Sequence, residues 1–209
     1  FTAVALTGGQ VVFFGPDFRV LWQKTVEGEL VDLAVSSGKG PRVAALYNVA
    51  GSSQKAAIFD IQGSRIGVAP LPQHVEQLEI VPDGSGMAVY GNSERGQYLG
   101  FFLIPQKAVQ TPAILAEKWS RGDARTADYS SNVIVTQSLV MLGFEDIAAT
   151  ARHSHLLSFD LAGSLKWNIP LVTEEGAYLY AHGFSSESSL LAVGTDDGYL
   201  SAFRLKDEK

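Results

Sequence analysis

Five apolar stretches of the chain end in a phenylalanine, at Phe14, Phe59, Phe102, Phe159 and Phe203, at intervals of 45, 43, 57 and 44 residues. A near-constant period of this size constrains the fold more than any other feature. Each unit must be one supersecondary piece that buries its apolar faces by stacking on its neighbours. The similarity runs past the anchors. Phe59-Asp60-Ile61-Gln62-Gly63-Ser64 parallels Phe159-Asp160-Leu161-Ala162-Gly163-Ser164, with identity at the Phe, Asp, Gly and Ser positions. Trp22 stands eight residues after Phe14, and Trp167 eight after Phe159. Each unit therefore reads as a strand ending in an aromatic, a turn carrying Asp or Gly, and a further strand.

Ahead of each anchor lies another apolar run followed by a hairpin signal. These are Val4–Leu6 before Thr7-Gly8-Gly9, Val43–Leu46 before Ala50-Gly51-Ser52, and Met87–Tyr90 before Arg95-Gly96. Ile147–Ala149 before Arg152-His153 and Leu190–Val193 before Asp196-Asp197-Gly198 complete the set. Asp-Gly and Gly-Gly accept the positive φ of tight turns, so these runs pair with the anchor strands as hairpins. Still earlier comes a first strand, as at Leu78–Val81 before Pro82-Asp83-Gly84 and Tyr178–Tyr180 before Ser185-Ser186-Glu187. Four short strands per unit is the pattern of a propeller blade.

The predicted fold is all-β, a single β-propeller domain over 1–209 made of about five four-stranded antiparallel blades, with units near 1–28, 29–72, 73–122, 123–172 and 173–209. The chain opens on a second strand and ends after a third, which leaves three strands in each outer unit. That phase predicts an open or partner-completed ring, or part of a longer propeller-bearing chain. The one long interval has a local cause, since Trp119 follows Phe102 by 17 residues rather than eight. About nine extra residues thus separate the third and fourth strands of the middle unit. Thr111-Pro112 either caps a short helix through Trp119 or precedes a plain strand from Ala113 to Lys118. This insertion, Gln106 to Asp128, is the expected partner-binding segment, removable without loss of fold, and Lys107, Trp119, Arg121 and Tyr129 are its candidate contact residues.

The stretch Phe184 to Phe203, FSSESSLLAVGTDDGYLSAF, resembles a WD repeat, and Val81 to Phe102 resembles it in the same register. Phe59-Asp60 and Phe159-Asp160 fall where that family's Trp-Asp dipeptide lies. The units around Phe14 and Phe159, with Trp22 and Trp167, also resemble quinoprotein-like propellers of bacterial outer-membrane assembly factors. Both resemblances imply a propeller. Departures are specific: Phe replaces Trp at every anchor, and the family's Gly-His dipeptide is absent, with His74 as its one counterpart. In the family a buried Trp, Ser/Thr, His and Asp share a hydrogen-bonded tetrad. Phenylalanine has no N–H, so that network is incomplete here.

The 209 residues carry 16 Lys plus Arg against 22 Asp plus Glu, a net charge of -6, with no dense basic run. This argues against nucleic acid as a partner, because phosphate binding draws on clustered cations. The longest uncharged run, Tyr129 to Phe144, is 16 residues and too polar to insert in a membrane. The absence of cysteine excludes disulfides and thiolate metal sites. It fits either the cytoplasm or a bacterial periplasm, and an extracytoplasmic location is marginally preferred. The chain begins at Phe1 rather than Met, which is expected of a processed or partial sequence.

No Gly-x-Ser-x-Gly elbow and no phosphate-binding loop occurs. The expected function is a non-catalytic scaffold for a protein or peptide partner, or for other segments of its own parent chain, within a larger assembly and without a cofactor. The alternative is a ligand-binding or enzymatic propeller, hydrolase-like or quinoprotein-like, with its site at the central channel. His153 and His155 share one face of a strand and either hold a metal with a neighbouring carboxylate or face solvent at a hairpin end. Glu27, Glu29 and Asp32 with Glu174 and Glu175 form either an acidic patch for a basic partner or scattered surface charge. Asp196-Asp197-Gly198 reads as a type I′ hairpin turn and Arg121-Gly122-Asp123 as a loop. Tyr47, Tyr98, Tyr129 and Tyr180 are candidates for the contact face or for packing.

Overall fold

In a computed structural model, residues 1–51, 53–72, 74–93, 96–106, 111–123, 130–146, 153–171, 179–185, 189–195 and 198–205 are described. They form two compact units, Phe1–Gly122 and Asp123–Lys209, each considered by itself.

In the first unit, β1 (Thr2–Leu6), β2 (Gln10–Phe14) and β3 (Val20–Thr25) form one antiparallel sheet. Four strands follow in the second sheet, namely β4 (Glu29–Val35), β5 (Val43–Val49), β6 (Ser53–Phe59) and β7 (Arg65–Leu71). The third holds β8 (Val75–Ile80), β9 (Gly86–Ser93) and β10 (Gly96–Leu103). Its fourth strand, β12 (Glu117–Asp123), comes after a two-residue strand, β11 (Ala113–Ile114). The second unit contains the sheet β13 (Ser130–Val135), β14 (Leu139–Asp146), β15 (His153–Asp160) and β16 (Leu165–Pro170). It ends with a three-stranded sheet of β17 (Leu179–Ser185), β18 (Leu190–Thr195) and β19 (Leu200–Arg204). Among the described residues the pairings within β1–β3, β4–β7, β8–β10, β13–β16 and β17–β19 are antiparallel, and apart from β11 each strand follows its neighbour in sequence. The chain is an all-β propeller fold with these sheets as its blades.

Strand alternation explains the stacking. Along β5, Val43, Ala45 and Tyr47 join a core shared with the first sheet, including Val11, Phe13 and Trp22. The intervening Ala44 and Leu46 join the core shared with the third sheet, including Leu78, Met87, Val89 and Phe102. In β6, Ala57 and Phe59 point to the first partner and Ala56 and Ile58 to the second. The second sheet is thus apolar on both faces, which is why β5 reads as a continuous apolar run rather than an alternating one. In the second unit, Ile134, Met141 and Leu156 pack with Leu191 and Val193 in the same manner.

The repeated Phe-Asp-x-x-Gly-Ser motif builds one turn twice. Asp60 Oδ1 accepts the amides of Gln62 and Ser64 at 3.0 and 2.8 Å, and Asp160 Oδ1 accepts those of Ala162 and Ser164 at 2.9 and 2.8 Å. Gly63 and Gly163 close these turns at φ +79° and +89°, where a Cβ is penalised. These amides, led by that of Ser164 and helped by Lys166, hold the Asp160 carboxyl below its ordinary range.

Of the two readings open after Thr111-Pro112, the strand is the one found, as Ala113–Ile114 and then Glu117–Asp123. Moreover, β11 crosses to the preceding sheet and pairs in parallel with β7, with Ala113 opposite Gly67 and Ile114 opposite Val68. Leu115 follows it into the core, in a space that a Cβ on Gly67 would enter at 2.9 Å from Leu115 Cδ2. The insertion Gln106 to Asp128 therefore contains a core residue and the fourth strand of a blade, so it is not a removable loop. Arg121-Gly122-Asp123 lies on β12 rather than in a loop. In the fourth sheet the partner of β15 is β14, with Leu139 opposite Asp160 and Asp146 opposite His153. Ile147–Ala149, expected as that strand, lies outside the described residues; the apolar run just before it is the one that pairs.

Ser158, fully buried on β15, has an Oγ with no hydrogen-bond partner among the described residues. A buried hydroxyl without a partner carries its full desolvation penalty, so Ser158→Ala is expected to stabilise the protein by about 1 kcal/mol. Urea unfolding checks this; a loss of stability would show that the hydroxyl is satisfied.

Candidate functional site

Of the four expected contact residues, Trp119 and Arg121 are described. Trp119 is only 8% exposed and stacks on Phe101, with ring centroids 5.6 Å apart. Arg121 is exposed, its guanidinium carbon 6.0 Å from the centre of the Trp119 ring. Lys107 and Tyr129 lie outside the described residues. Of the other tyrosines, Tyr47 is buried in the core. Tyr98 is half-buried and donates its hydroxyl hydrogen to Glu117; desolvation first, and then that hydrogen bond and the Glu117 charge, push its ionisation well upward. Tyr180 is on β17.

His153 and His155 start β15 two residues apart. The Nδ1 atom of His155 is 2.9 Å from Asn168 Oδ1 on β16. Among the described residues no group of three or more metal-ligating side chains is assembled. The repeat anchors occupy third strands: Phe14 on β2, Phe59 on β6, Phe102 on β10, Phe159 on β15 and Phe203 on β19. Phe59, Phe102 and Phe159 are buried. Of the acidic candidates, Glu27 and Glu29 are exposed and Asp32 is half-buried, while Glu174 and Glu175 fall outside the described residues. Asp196 and Asp197 do too; Gly198 beside them has φ +89° and donates its N–H to Thr195 O at 3.1 Å.

Sequence reasoning missed the polar stitches between the second and third sheets. Neighbouring blades share no strand pairing along these first strands, so side chains supply the bonds. Asp32 Oδ2 accepts the Leu78 amide at 2.8 Å. Arg42, 8% exposed, donates from Nη1 to Gly84 O at 2.8 Å. Gln54 is bound at both ends of its amide: Oε1 accepts Val75 N–H at 2.6 Å, and Nε2 donates to Val75 O at 3.1 Å and to Asn48 Oδ1 at 2.8 Å. This arrangement imitates a strand pairing with one side chain. It satisfies three of the four hydrogen-bond positions of a buried amide.

The Gln54 stitch forms one wall of an open groove of about 540 Å³. Val31 of β4, Asn48 and Val49 at the end of β5, Ser53 and Gln54 at the start of β6, and His74, Val75 and Glu76 leading into β8 line it. The segment leading into β8 has unusual backbone geometry. His74 adopts φ +66°, and β8 carries a register shift between Val75 and Gln77 where it pairs with β9.

Beyond the groove, the same two first strands bring two carboxylates together. Glu79 on β8 is pushed up to about 7, first by crowding that strips water from its carboxyl and then by Asp32 on β4. Asp32 is raised by burial against the pull of the Leu78 and Leu33 amides. Glu79 keeps an exposed face and is not a core residue. Its folded pKa lies above the unfolded value of 4.5, so the folded state binds the extra proton. The contribution to stability is full below the unfolded value and is lost as pH rises through about 7. Stability should fall between about pH 5 and about pH 8, and Glu79→Gln should flatten that slope. Urea midpoints at both pH values test it, and an unchanged slope in the variant would remove Glu79 as the cause.

No family model matches the chain, and no curated protein does. Solved structures match it in fold. The WD40 domain of Toxoplasma gondii coronin aligns with TM-score 0.59 at 12% identity, over 87% of this chain and 43% of that one. Hsv2 from Kluyvelomyces marxianus aligns with TM-score 0.58 at 16% identity, over 99% of this chain and 60% of its own. Sqt1 from Chaetomium thermophilum gives 0.53 at 13%, over 85% and 43%. The chain therefore spans about half the length of these neighbours. The likeness is one of fold, that of a WD40-type propeller.

Proposed function

We propose that the chain is a non-catalytic scaffold of a larger assembly, and that the groove beside Gln54 receives a segment of a protein partner, either another protein or another part of its own parent chain. The observation that carries this reading is a solvent-open groove walled by an amide clip that is bound at both ends. A rigid, pre-formed wall lowers the ordering cost of binding. The groove lining combines three valines, Val31, Val49 and Val75, with five polar residues, Asn48, Ser53, Gln54, His74 and Glu76.

The test uses a variant that fills the groove without touching the core. Ser53 is exposed and lines the groove, so Ser53→Trp should fold normally while occluding it. The wild-type protein, immobilised, should retain a stoichiometric partner that the variant releases. Equal retention by a folded variant would place the contact elsewhere. Retention of nothing by either would overturn the scaffold reading itself.

A further inference from the structure

We propose that the first sheet takes a fourth strand from a protein partner: an uncharged, extended segment pairs antiparallel along β1 and lays its side chains on Leu30, Leu33 and Val35 of β4. This slot shares no residue with the groove beside Gln54. The repeat within the first unit supplies the template. At the next junction β4 pairs with β5 and packs on β8. In the same way β1 meets β4 where β5 meets β8. Counted from the register shifts after Leu30 and after Val75, Leu30, Leu33 and Val35 correspond to Val75, Leu78 and Ile80.

Burial differs at these equivalent places. Val75, Leu78 and Ile80, against which β4 packs, are 1%, 1% and 4% exposed. Leu30, Leu33 and Val35 are only half-buried, although they too pack on the core between two sheets. The neighbouring strands differ likewise. Ala44 and Leu46 of β5, which face the third sheet, are fully buried. Their counterparts on β1, Ala3 and Ala5, sit opposite Phe13 and Val11 of the first core, yet Ala3 is half-buried and Ala5 exposed. Five positions that the second junction closes are thus open at the first, and β4 shows that one strand closes them.

The edge itself is open to pairing. Among the described residues the one strand neighbour of β1 is β2, in five uninterrupted pairs from Thr2 opposite Phe14 to Leu6 opposite Gln10. Alternate residues of such a strand turn their backbone groups away from the partner. Natural edges are guarded by charge, proline or a bulge. Both β4 and β8 carry a register shift and carboxylates, whereas Thr-Ala-Val-Ala-Leu of β1 has none of these guards. An unguarded edge is where an extended peptide adds as a strand. Its side-chain chemistry follows from β4. Asp32 bonds the Leu78 amide across the second junction, but the equivalent Leu33 amide is already held by Asp32 Oδ1 at 2.9 Å. The slot therefore calls for no carboxylate, and the fit is to apolar side chains, small where β4 offers Ala34 to the third sheet.

The test titrates the full chain with a blocked peptide copying Glu29–Val35, made uncharged by Glu29→Ser and Asp32→Ala and kept soluble by a polyethylene glycol tail. NMR follows the Leu30, Leu33 and Val35 methyls and hydrogen exchange of the β1 amides. Saturable methyl shifts are expected, with slowed exchange at the alternate β1 amides that are not bonded to β2. N-methylation along one edge of the peptide should abolish both effects, and along the other edge should not. In the protein, Ala5→Glu sets a charge at an exposed position of the slot and should abolish binding, while Ala5→Ser should retain it. No saturable shift, equal binding of the two N-methylated peptides, or undiminished binding by Ala5→Glu would each overturn the proposal. So would β1 protection that grows with protein concentration without peptide, since a second copy would then occupy the edge. Ser53→Trp should bind the peptide as the wild type does. Loss of binding there would place the peptide in the groove and overturn this proposal, whereas the groove reading is judged by partner retention alone.

Discussion

Trp22→Ala should lower folding stability by about 4 kcal/mol, in the range of large aromatic deletions from well-packed cores. Trp22 is only 7% exposed and is the middle of an aromatic ladder across the junction of the first two sheets. Phe1 stacks on Phe13 with centroids 5.7 Å apart, Phe13 lies 5.2 Å from Trp22, and Trp22 lies 5.5 Å from Phe59 of the second sheet. The ring also fits beneath the Asp60–Gly63 turn, where a Cβ on Gly63 would stand 2.8 Å from Trp22 Cγ. Its removal would leave a cavity between two blades that the sheets cannot close without shifting that turn. Trp22→Phe should cost far less, about 1 to 2 kcal/mol, because an aromatic ring remains to fill the junction. The indole Nε1 has no hydrogen-bond partner among the described residues, so no bond is lost with it. Urea unfolding of both variants separates the cases. A loss under about 1 kcal/mol for the alanine variant would mean that the junction tolerates the cavity.

The ladder shows what was legible in the sequence and what was not. Trp22 and Trp167 stood out because each follows a repeat anchor by eight residues. Their spacing carries strand period and turn length, both local properties. That the Trp22 ring docks under a turn some forty residues away is a property of blade stacking, to which a single unit's pattern is blind. The turn motif was readable as a turn because Asp and Gly do their work within five residues. Its first-unit counterpart was less so: Phe18 takes φ +59° where the later units use glycine, and it is 77% exposed. In the fourth sheet two apolar runs precede β15: Leu139–Asp146 pairs with it as the consecutive strand β14, and Ile147–Ala149 lies outside the described residues.

The groove was the least legible part. Gln54, Asn48 and Ser53 belong to no motif, and polar residues at a hairpin end read as solvated. Their meaning comes from β8, twenty residues on, whose Val75 backbone Gln54 binds. The one signal present was His74, noted as a counterpart of a family histidine; the structure places it on the groove wall at positive φ.

On the β8 side of the groove, Gly91→Ala is expected to be a strongly disruptive small substitution. Gly91 on β9 sits opposite Val75 at the register shift of β8. A Cβ there would meet His74 O at 2.1 Å and Val75 Cα at 2.5 Å. Both are backbone atoms, so no rotamer change relieves the overlap, and β8 would have to move away from β9. Overpacking of this kind costs on the order of 3 kcal/mol. The displacement would also pull Val75 from Gln54, opening the clip on which the groove depends. Gly40→Ala is the matched control, because a Cβ at Gly40 meets nothing within 4 Å and its φ is not in the positive range. Reducing unfolded-state freedom there should leave stability unchanged or raise it by up to about 1 kcal/mol. In denaturant unfolding the two variants should therefore move in opposite directions or diverge by about 3 kcal/mol. In NMR, the Gln54 side-chain amide should shift only in Gly91→Ala. If that variant keeps both its stability and the Gln54 signal, the close approach of β8 to β9 is not what shapes the groove.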